Sequence, residues 1–537
     1  MNDATTYLTN LLSTIVQDEH DDLLQNIIDK VIRQSLATPV LNKEILEKTF
    51  EEISQFESPN PDKIFHVIDA FSVPRFTYNL EKRKFVIDNS IINLNGTAEK
   101  REILFRERYR LLSQRTTRHK LFLPPVPGAS AEENDEKFHL QPVEYLLATT
   151  ARLGNLVVLG MLSQLKEVNG NKYFNDHFNA MQHFRENFFW KIPTFHPGLI
   201  TENCFVLAEG SYDDGIFHVQ ALGFPPAESA ETTRTYFGNE NFFGGPHTTS
   251  VKLSPQLLAF EQDHRESMFV LLSDVWLNEI KVQKKLNTML SGFAESPPTC
   301  FIFIGNFLSG SLQAQSYQLM TSSLKALGNI IAQYPSILRQ SKFVFIPGPR
   351  DPGIGSILPR PPIPSCLTEQ FCKKVPSAVF TTNPCRIQFC TKEIVVFRED
   401  LVTKICRSVV HFPTTGEIPH HFVKTLISQS HLCPLPLNNA PIYWSYDHSL
   451  RLYPLPDVIV CADKYSSYCV SNMGCTFFNP GSFATNNGNF KVYMPVTGEV
   501  EDSQIIDDET LEKSEFKLLY IIRSQDISYP HTLLHIN

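Results

Sequence analysis

A chain of 537 residues with 42% hydrophobic and 20% charged residues has the composition of an ordinary globular protein and the length for about two to four domains. A net charge of −9 gives no signal of charge-driven nucleic-acid binding, and no apolar run approaches the roughly 18 residues that would make a membrane-spanning helix. The first residues lack the basic and apolar regions of a signal peptide, and the 11 cysteines are scattered: Cys366/Cys372 and Cys385/Cys390 have no second pair to complete a zinc knuckle, so buried reduced thiols in a soluble intracellular protein are expected.

In chain order, residues 1–75 predict a small helical domain. Leu8, Leu11, Leu12, Ile15 and Val16 share one helical face, and Leu24, Ile27, Ile28, Val31 and Ile32 share another. Thr38-Pro39 breaks the second helix, Asn42 caps a third over Lys43 to Phe56, and a fourth is expected from about Asp62 to Phe71. Such a module binds protein; nothing in it looks catalytic. Residues 76–142 read as a linker with a basic helix between Lys100 and Lys120, where Arg101, Arg106, Arg108, Arg110, Arg115 and Arg118 interleave with Leu104, Phe105, Tyr109, Leu111 and Leu112. That helix either contacts phosphates or docks a solvated face on a neighbouring domain. Residues 143–255 carry strand signals, over Leu156 to Leu162, Cys204 to Tyr212 and Gly215 to Phe224. The last two are joined across Asp213-Asp214-Gly215, residues that tolerate the positive φ of a hairpin turn. Short hairpin strands suggest a small barrel, an OB-fold. Residues 266–500 alternate apolar strands with helical stretches and predict an α/β sandwich with polar strand ends. Residues 501–537 begin acidic and then lose any clear period, a tail of uncertain structure.

Four of those strand ends carry the chemistry question. Binuclear phosphoesterases of the calcineurin-like family hold their metals on D-x-H, G-D-x-x-D, G-N-H-[DE], a lone His and G-H-x-H. The order and rough spacing here are similar, but the residue types are not. Asp274 is kept while Trp276 replaces the first His; Asn306 replaces the bridging Asp and Ser309 the distal acid. Gly348 and Asp351 flank Pro349 and Arg350, which replace the ligand Asn and the catalytic His. His431 stands for the lone His, and Asp463 and Tyr465 replace the last two. Without a bridging carboxylate two dications repel each other, and a guanidinium cannot ligate metal, so no metal, no cofactor and no catalysis are expected. Arg350 is expected to pair with Asp274 or Asp351 in the metal's stead. The rival explanation is misalignment, with His420-His421 as the dense cluster; Asp447-His448 reads as a surface turn.

The chain resembles the B subunits of the replicative DNA polymerases, most of all their polymerase epsilon branch. The resemblance rests on Phe71 to Asn79 (FSVPRFTYN), Cys204 to Gly210 (CFVLAEG), Tyr236 to Pro246 (YFGNENFFGGP), Leu272 to Leu277 (LSDVWL) and Phe345 to Gly355 (FIPGPRDPGIG). Phe380 to Ile387 (FTTNPCRI), Val395 to Leu401 (VVFREDL), Phe422 to Thr425 (FVKT) and Asn479 to Phe483 (NPGSF) complete it. It covers residues 1 to about 502. It implies a multidomain α+β chain: a helical AAA+ lid-like domain, an OB-fold barrel, and an inactivated calcineurin-like phosphoesterase sandwich. It further implies no catalysis, binding to the zinc-binding C-terminal region of the polymerase epsilon catalytic chain, tethering to the GINS part of the replicative helicase through residues 1–75, and a nuclear location. Two stretches depart from the family: Asn175 to Glu186 reads as a helix where an acidic hairpin belongs, and the chain continues past Ser503. Two other readings stand beside the scaffold. One is a divergent metallophosphoesterase using Asp274 and His431; the other is a single-strand nucleic-acid binder using the barrel and the 100–120 helix.

Overall fold

The computed structural model describes residues 64–505, apart from 91, 124–137, 150, 169–170, 177–193, 214–215, 248 and 354. Three of the four expected N-terminal helices therefore lie outside the described residues. The fourth is corrected: Phe65–Asp69 is a strand, β1, paired antiparallel with the distant strand Cys385–Phe389. Five residues are too few to separate a period of two from one of 3.6, and the exposed sheet edge decides the outcome. A hairpin of β2 (Phe76–Asn79) and β3 (Lys84–Ile87) follows.

The basic stretch forms a 20-residue helix, Ala98–Thr117. Next come β4 (Leu140–Gln141), β5 (Leu153–Val168), β6 (Asn171–Asp176), β7 (Thr194–Phe195), β8 (Phe205–Asp213) and β9 (Ile216–Gly223). They form one sheet in the order β4-β5-β8-β9-β7, with β6 paired to β5. The expected β8–β9 hairpin is present, and Asn175 and Asp176 pair in β6 instead of starting a helix; 177–186 lie outside the described residues. Leu156, Val158, Val206, Ala208, Phe217 and Val219 point into the sheet's own core. Leu159, Met161 and Phe205, on the other face, pack against Leu111 and Leu112 of helix Ala98–Thr117. The helix is thus a cover for this sheet, and the expected linker is corrected over 98–117.

The C-terminal half holds two more six-stranded sheets. One contains β10 (Phe269–Ser273), β11 (Cys300–Ile304), β12 (Lys342–Ile346) and β13 (Ala378–Phe380), all parallel, continued by β19 (Asn489–Met494) and β20 (Glu499–Gln504). The other runs β1, β14 (Cys385–Phe389), β15 (Lys392–Arg398), β16 (Val458–Ala462), β18 (Cys475–Asn479) and β17 (Tyr468–Asn472). Continuous apolar runs form these strands because both faces are covered. Phe269, Leu271, Ile302 and Val344 meet Ile387, Ile394, Val458 and Val460 between the sheets. Val270, Leu272, Phe301 and Phe343 face Leu286, Leu324 and Phe371 of the outer helices. Val395, Phe397 and Ile459 face Ile405 and Leu426 of helices Leu401–Ser408 and Ile418–Gln429 on the far side. The result is a four-layer helix–sheet–sheet–helix sandwich. Its phenylalanines stack across neighbouring strands, Phe301 on Phe343 and Phe303 on Phe345, with centroids 5.3 and 5.0 Å apart.

The sheet also corrects the expected boundary at residue 500. Glu501 and Asp502 belong to β20, where Asp502 pairs with Lys491 at 2.6 Å. Residues 506–537 lie outside the described residues. Among the described residues no helix is long and apolar enough to cross a membrane.

Candidate functional site

The carboxyl ends of β10, β11, β12, β15 and β16 converge, and each delivers a polar group that the sandwich then buries: Asp274, Asn306, Asp351, Arg398 and Asp463. Asp274 has φ of 50°, a left-handed conformation that Asp tolerates better than most residues, and this turns its carboxylate back over the strand ends. Its Oδ1 accepts from the Asn306 backbone N–H (3.0 Å), from Asn306 Nδ2 (2.9 Å) and from Arg398 Nη2 (3.0 Å). Asn306 Oδ1 in turn accepts the Arg350 backbone N–H at 2.8 Å. The Asn306 amide therefore serves as both donor and acceptor, a part no carboxylate could play.

Asp351 is closed off as well. Its two oxygens accept the backbone N–H groups of Phe307 (2.6 Å) and Gly348 (2.7 Å), and burial raises its pKa to about 6. Glycines allow this approach: a Cβ on Gly305 would lie 2.0 Å from Asp351 Oδ2, and one on Gly348 would lie 2.6 Å from Asn306 Oδ1. Asp463 accepts the Val402 N–H at 2.9 Å and the Tyr465 N–H at 2.8 Å, and burial raises its pKa. Trp276 is half-buried against the outer helical core, and Pro349 is half-buried in its loop.

The expected role of Arg350 is corrected. Its guanidinium donates to Gly310 O at 3.3 Å and makes no ion pair with Asp274 or Asp351 among the described residues. The cation at the centre is Arg398, which sequence reasoning missed although it lies in the VVFREDL segment. It is fully buried, donating to Gly305 O (2.8 Å), Asp274 Oδ1 (3.0 Å), Asp400 Oδ1 (2.7 Å) and Ala462 O (3.4 Å). Burial pulls its pKa down, but Asp274 and Asp400 outweigh that and hold it above the usual guanidinium value. Asn383 pins its backbone in both directions, by Nδ2 to Arg398 O (2.7 Å) and by Oδ1 from Arg398 N (2.9 Å). The FTTNPCRI segment owes its place in the site to that contact.

His431 is not brought to this cluster. Its Nδ1 accepts the Cys433 N–H at 3.0 Å, and its Nε2 lies 3.2 Å from Asp447 Oδ1 and 3.1 Å from Arg108 Nη2. Asp447 also holds Arg108 of the basic helix, with Nη2 at 2.5 Å from Oδ1. Asp447 and His448 are therefore buried and not a surface turn, at 2% and 5% exposure. His420 and His421 open helix Ile418–Gln429, where His421 Nε2 bonds Thr415 O at 2.6 Å. Neither provides the alternative cluster that a misalignment would require. Among the described residues no three His, Cys, Asp or Glu side chains are grouped to hold a metal ion. The residues do not fit a two-metal centre: an amide, a guanidinium and backbone N–H groups take up the carboxylate oxygens that ions would need.

On the basic helix, Arg108 and Arg115 are buried and committed inward, Arg115 to Ser428 O and Ser430 Oγ, both at 2.6 Å. Arg118 pairs with Glu228 at 2.6 Å. The docking reading of this helix holds for these three, which are not presented to a phosphate backbone.

Comparison with known proteins gives three family matches. The family of DNA polymerase alpha/epsilon B subunits matches residues 269–470, DNA polymerase epsilon subunit 2-like, OB-fold domain, matches 82–226, and DNA polymerases epsilon N terminal matches 1–53. DNA polymerase epsilon subunit 2 of Bos taurus is 49% identical over 94% of this chain and 95% of its own length, and that of Homo sapiens is 48% identical over the same shares. DNA polymerase epsilon subunit 2 of Drosophila melanogaster is 39% identical, again over 94% and 95%. Among solved structures, an archaeal phosphodiesterase aligns with 44% of this chain and 99% of its own at 10% identity and a TM-score of 0.26, too distant to carry an argument.

Proposed function

The chain belongs to the DNA polymerase epsilon subunit 2 family, and from that premise we propose how it serves a polymerase without catalysing. It is a non-catalytic accessory subunit in DNA replication, with the polymerase's catalytic subunit as its partner. The finer reading is that the sandwich is a phosphoesterase-type domain whose site has become structural, and that it and the OB-fold domain together receive the zinc-binding C-terminal region of the catalytic chain. The segment ahead of β1 tethers the assembly to the GINS part of the replicative helicase, and the complex works in the nucleus. One observation carries the non-catalytic part of this reading: the strand-end site is filled by Arg398 and Asn306, hydrogen-bonded to the carboxylate that an enzyme would give to metal.

The test is co-expression of this chain with the zinc-binding C-terminal region of the catalytic subunit from the same organism, followed by light scattering after gel filtration. A stable 1:1 complex that hydrolyses no phosphodiester in manganese is expected. A monomer that ignores the partner, or manganese-dependent hydrolysis lost in Asp274→Asn, would overturn the scaffold reading.

A further inference from the structure

We propose that the outer helical layer over the β10–β13 sheet is a docking face for double-stranded nucleic acid, held through its phosphates. The proposal deepens the accessory-subunit reading and rests on it for bringing DNA within reach. Although the whole chain carries a net charge of −9, residues 280–380 hold ten Lys or Arg against three Asp or Glu. Helices Ile280–Phe293, Ser316–Ile331, Pro335–Gln340 and Ser365–Lys374 cover this side of the sheet, with Leu286, Leu290, Leu324, Ile337 and Phe371 turned inward. They lie side by side: Tyr334 OH donates to Asn287 O at 3.2 Å, Phe371 packs beside Gly328, and Lys374 Nζ donates to Asn329 Oδ1. Their exposed cations, Lys281, Lys284, Lys325, Arg339 and Lys374, therefore share one outer surface. Lys281, Lys284, Lys325 and Arg339 have no ion pair among the described residues. Of the acids nearby, Glu369 is taken by Lys373 at 2.7 Å and Glu279 accepts from Ser309 Oγ at 2.8 Å.

The placement of these cations works against the helix that carries three of them. Lys281 lies in the first turn of helix Ile280–Phe293, where positive charge opposes the macrodipole and no acid offsets it. Lys284 and Lys285 follow three and four positions on, the spacing at which like charges repel across a helix surface. Helix stability gains nothing from this arrangement, whereas a phosphate backbone laid on it relieves the repulsion. The rest of the face selects the form of the nucleic acid. Its exposed apolar residues, Ile280, Tyr317 and Leu319, sit at the helix starts beside the strand ends. From there to the helix ends the exposed groups are cations, amides and hydroxyls, such as Thr288, Ser322 and Asn329, which suit phosphate and sugar. A protein partner would need apolar or aromatic anchors at the centre of the face, and a single strand would need aromatic platforms for its bases. The body of the face offers neither among the described residues. The 16-residue helix Ser316–Ile331 is about 24 Å long, a length over which a duplex presents roughly 14 charges.

The experiment titrates the full chain, alone and in complex with the polymerase C-terminal region, into a short labelled DNA duplex and follows fluorescence anisotropy over a range of salt. With four cations each neutralising one phosphate, affinity should fall about a hundredfold between roughly 50 and 200 mM salt. Lys281→Gln/Lys284→Gln should bind more weakly at low salt and lose only about tenfold over the same range. The same variant should melt no lower than the native chain, because it loses positive charge from a helix start. Arg101→Gln/Arg106→Gln, on helix Ala98–Thr117, should leave affinity and salt dependence unchanged. An unchanged salt dependence in Lys281→Gln/Lys284→Gln overturns the proposal, as does a native chain that ignores the duplex or binds a single strand or polyglutamate more tightly. Complex formation with the polymerase C-terminal region is measured on the same samples. Its loss in the lysine variant alone would give the face to the protein partner and also overturn the proposal. Its absence in the native chain would sink the subunit reading, whereas an intact native complex with no duplex binding sinks only this proposal.

Discussion

At the scale of single residues, the chain uses buried arginines where surface arginines were expected. Arg108 joins the basic helix to Asp447 and, through it, to His431, all within 5% exposure. Breaking one side of a buried pair leaves an uncompensated charge, so Arg108→Met should cost about 3–5 kcal/mol, nearer the lower figure because Arg451 Nε lies 3.6 Å from Asp447 Oδ2. Arg108→Met/Asp447→Asn should recover part of the loss in urea denaturation, and a strictly additive double variant would show that the pair is not coupled. The same triad sets a pH dependence. Burial, and then Arg108, lower the His431 pKa to about 4. Between there and the unfolded value of about 6.5 the unfolded chain binds the extra proton, so this contribution is complete above that window and is lost as pH falls through it. His448, also lowered to about 4 chiefly by burial, acts in the same sense; Asp351, raised to about 6, acts in the opposite sense between its unfolded value and 6. Comparing the native chain with His431→Gln isolates one proton. The difference between their stability slopes should approach at most about 1.4 kcal/mol per pH unit between pH 4 and 6.5, and equal slopes would refute the assignment.

At the scale of elements, β1 matters more than its five residues suggest. It lies at the end of a sheet, covers the open edge of β14, and is followed by Arg75, which reaches Glu107 of the basic helix at 2.8 Å. A chain truncated before residue 64 should therefore remain soluble and keep its partner. A chain truncated before residue 76, at the expected domain boundary, should expose the β14 edge and aggregate on gel filtration. Equal behaviour of the two would mean that β1 is dispensable. The polar segments that carried the family resemblance also gain a physical role at this scale. Asn383 of FTTNPCRI holds Arg398, and Arg386 of the same segment donates to the Phe242 and Phe243 carbonyls of YFGNENFFGGP at 3.0 and 3.1 Å. Asn479 of NPGSF accepts the Asp463 N–H at 3.1 Å. Each is a side chain tying backbone at a strand end or in a loop that would otherwise lack a partner inside the core.

At the scale of the whole molecule, two sandwiched sheets and a third, helix-covered sheet present an accessory subunit whose strand-end cluster is closed by internal hydrogen bonds. Most of that plan was legible in the sequence. The apolar runs of β10, β11, β12 and β16 announced strands buried on both faces, and the polar residues after them, Asp274, Asn306, Asp351 and Asp463, were placed correctly because a strand's end is a local property. The residue types at 276, 306, 349 and 350, Trp, Asn, Pro and Arg, could likewise be read off directly. What the sequence could not provide was the pairing. Arg398 and Asp274 are 124 residues apart, Arg108 and Asp447 are 339 apart, and β1 and β14 meet across a long stretch of the described chain. Periodicity, turn chemistry and residue type act over a few positions, so the sequence alone determined the buried strands β10, β11, β12 and β16, the hairpin of β8 and β9, and an amide in place of an acid at 306. Which buried cation answers which carboxylate was decided only when the two sheets brought their ends together, because in a low-dielectric interior a charge must find its partner wherever the fold delivers one.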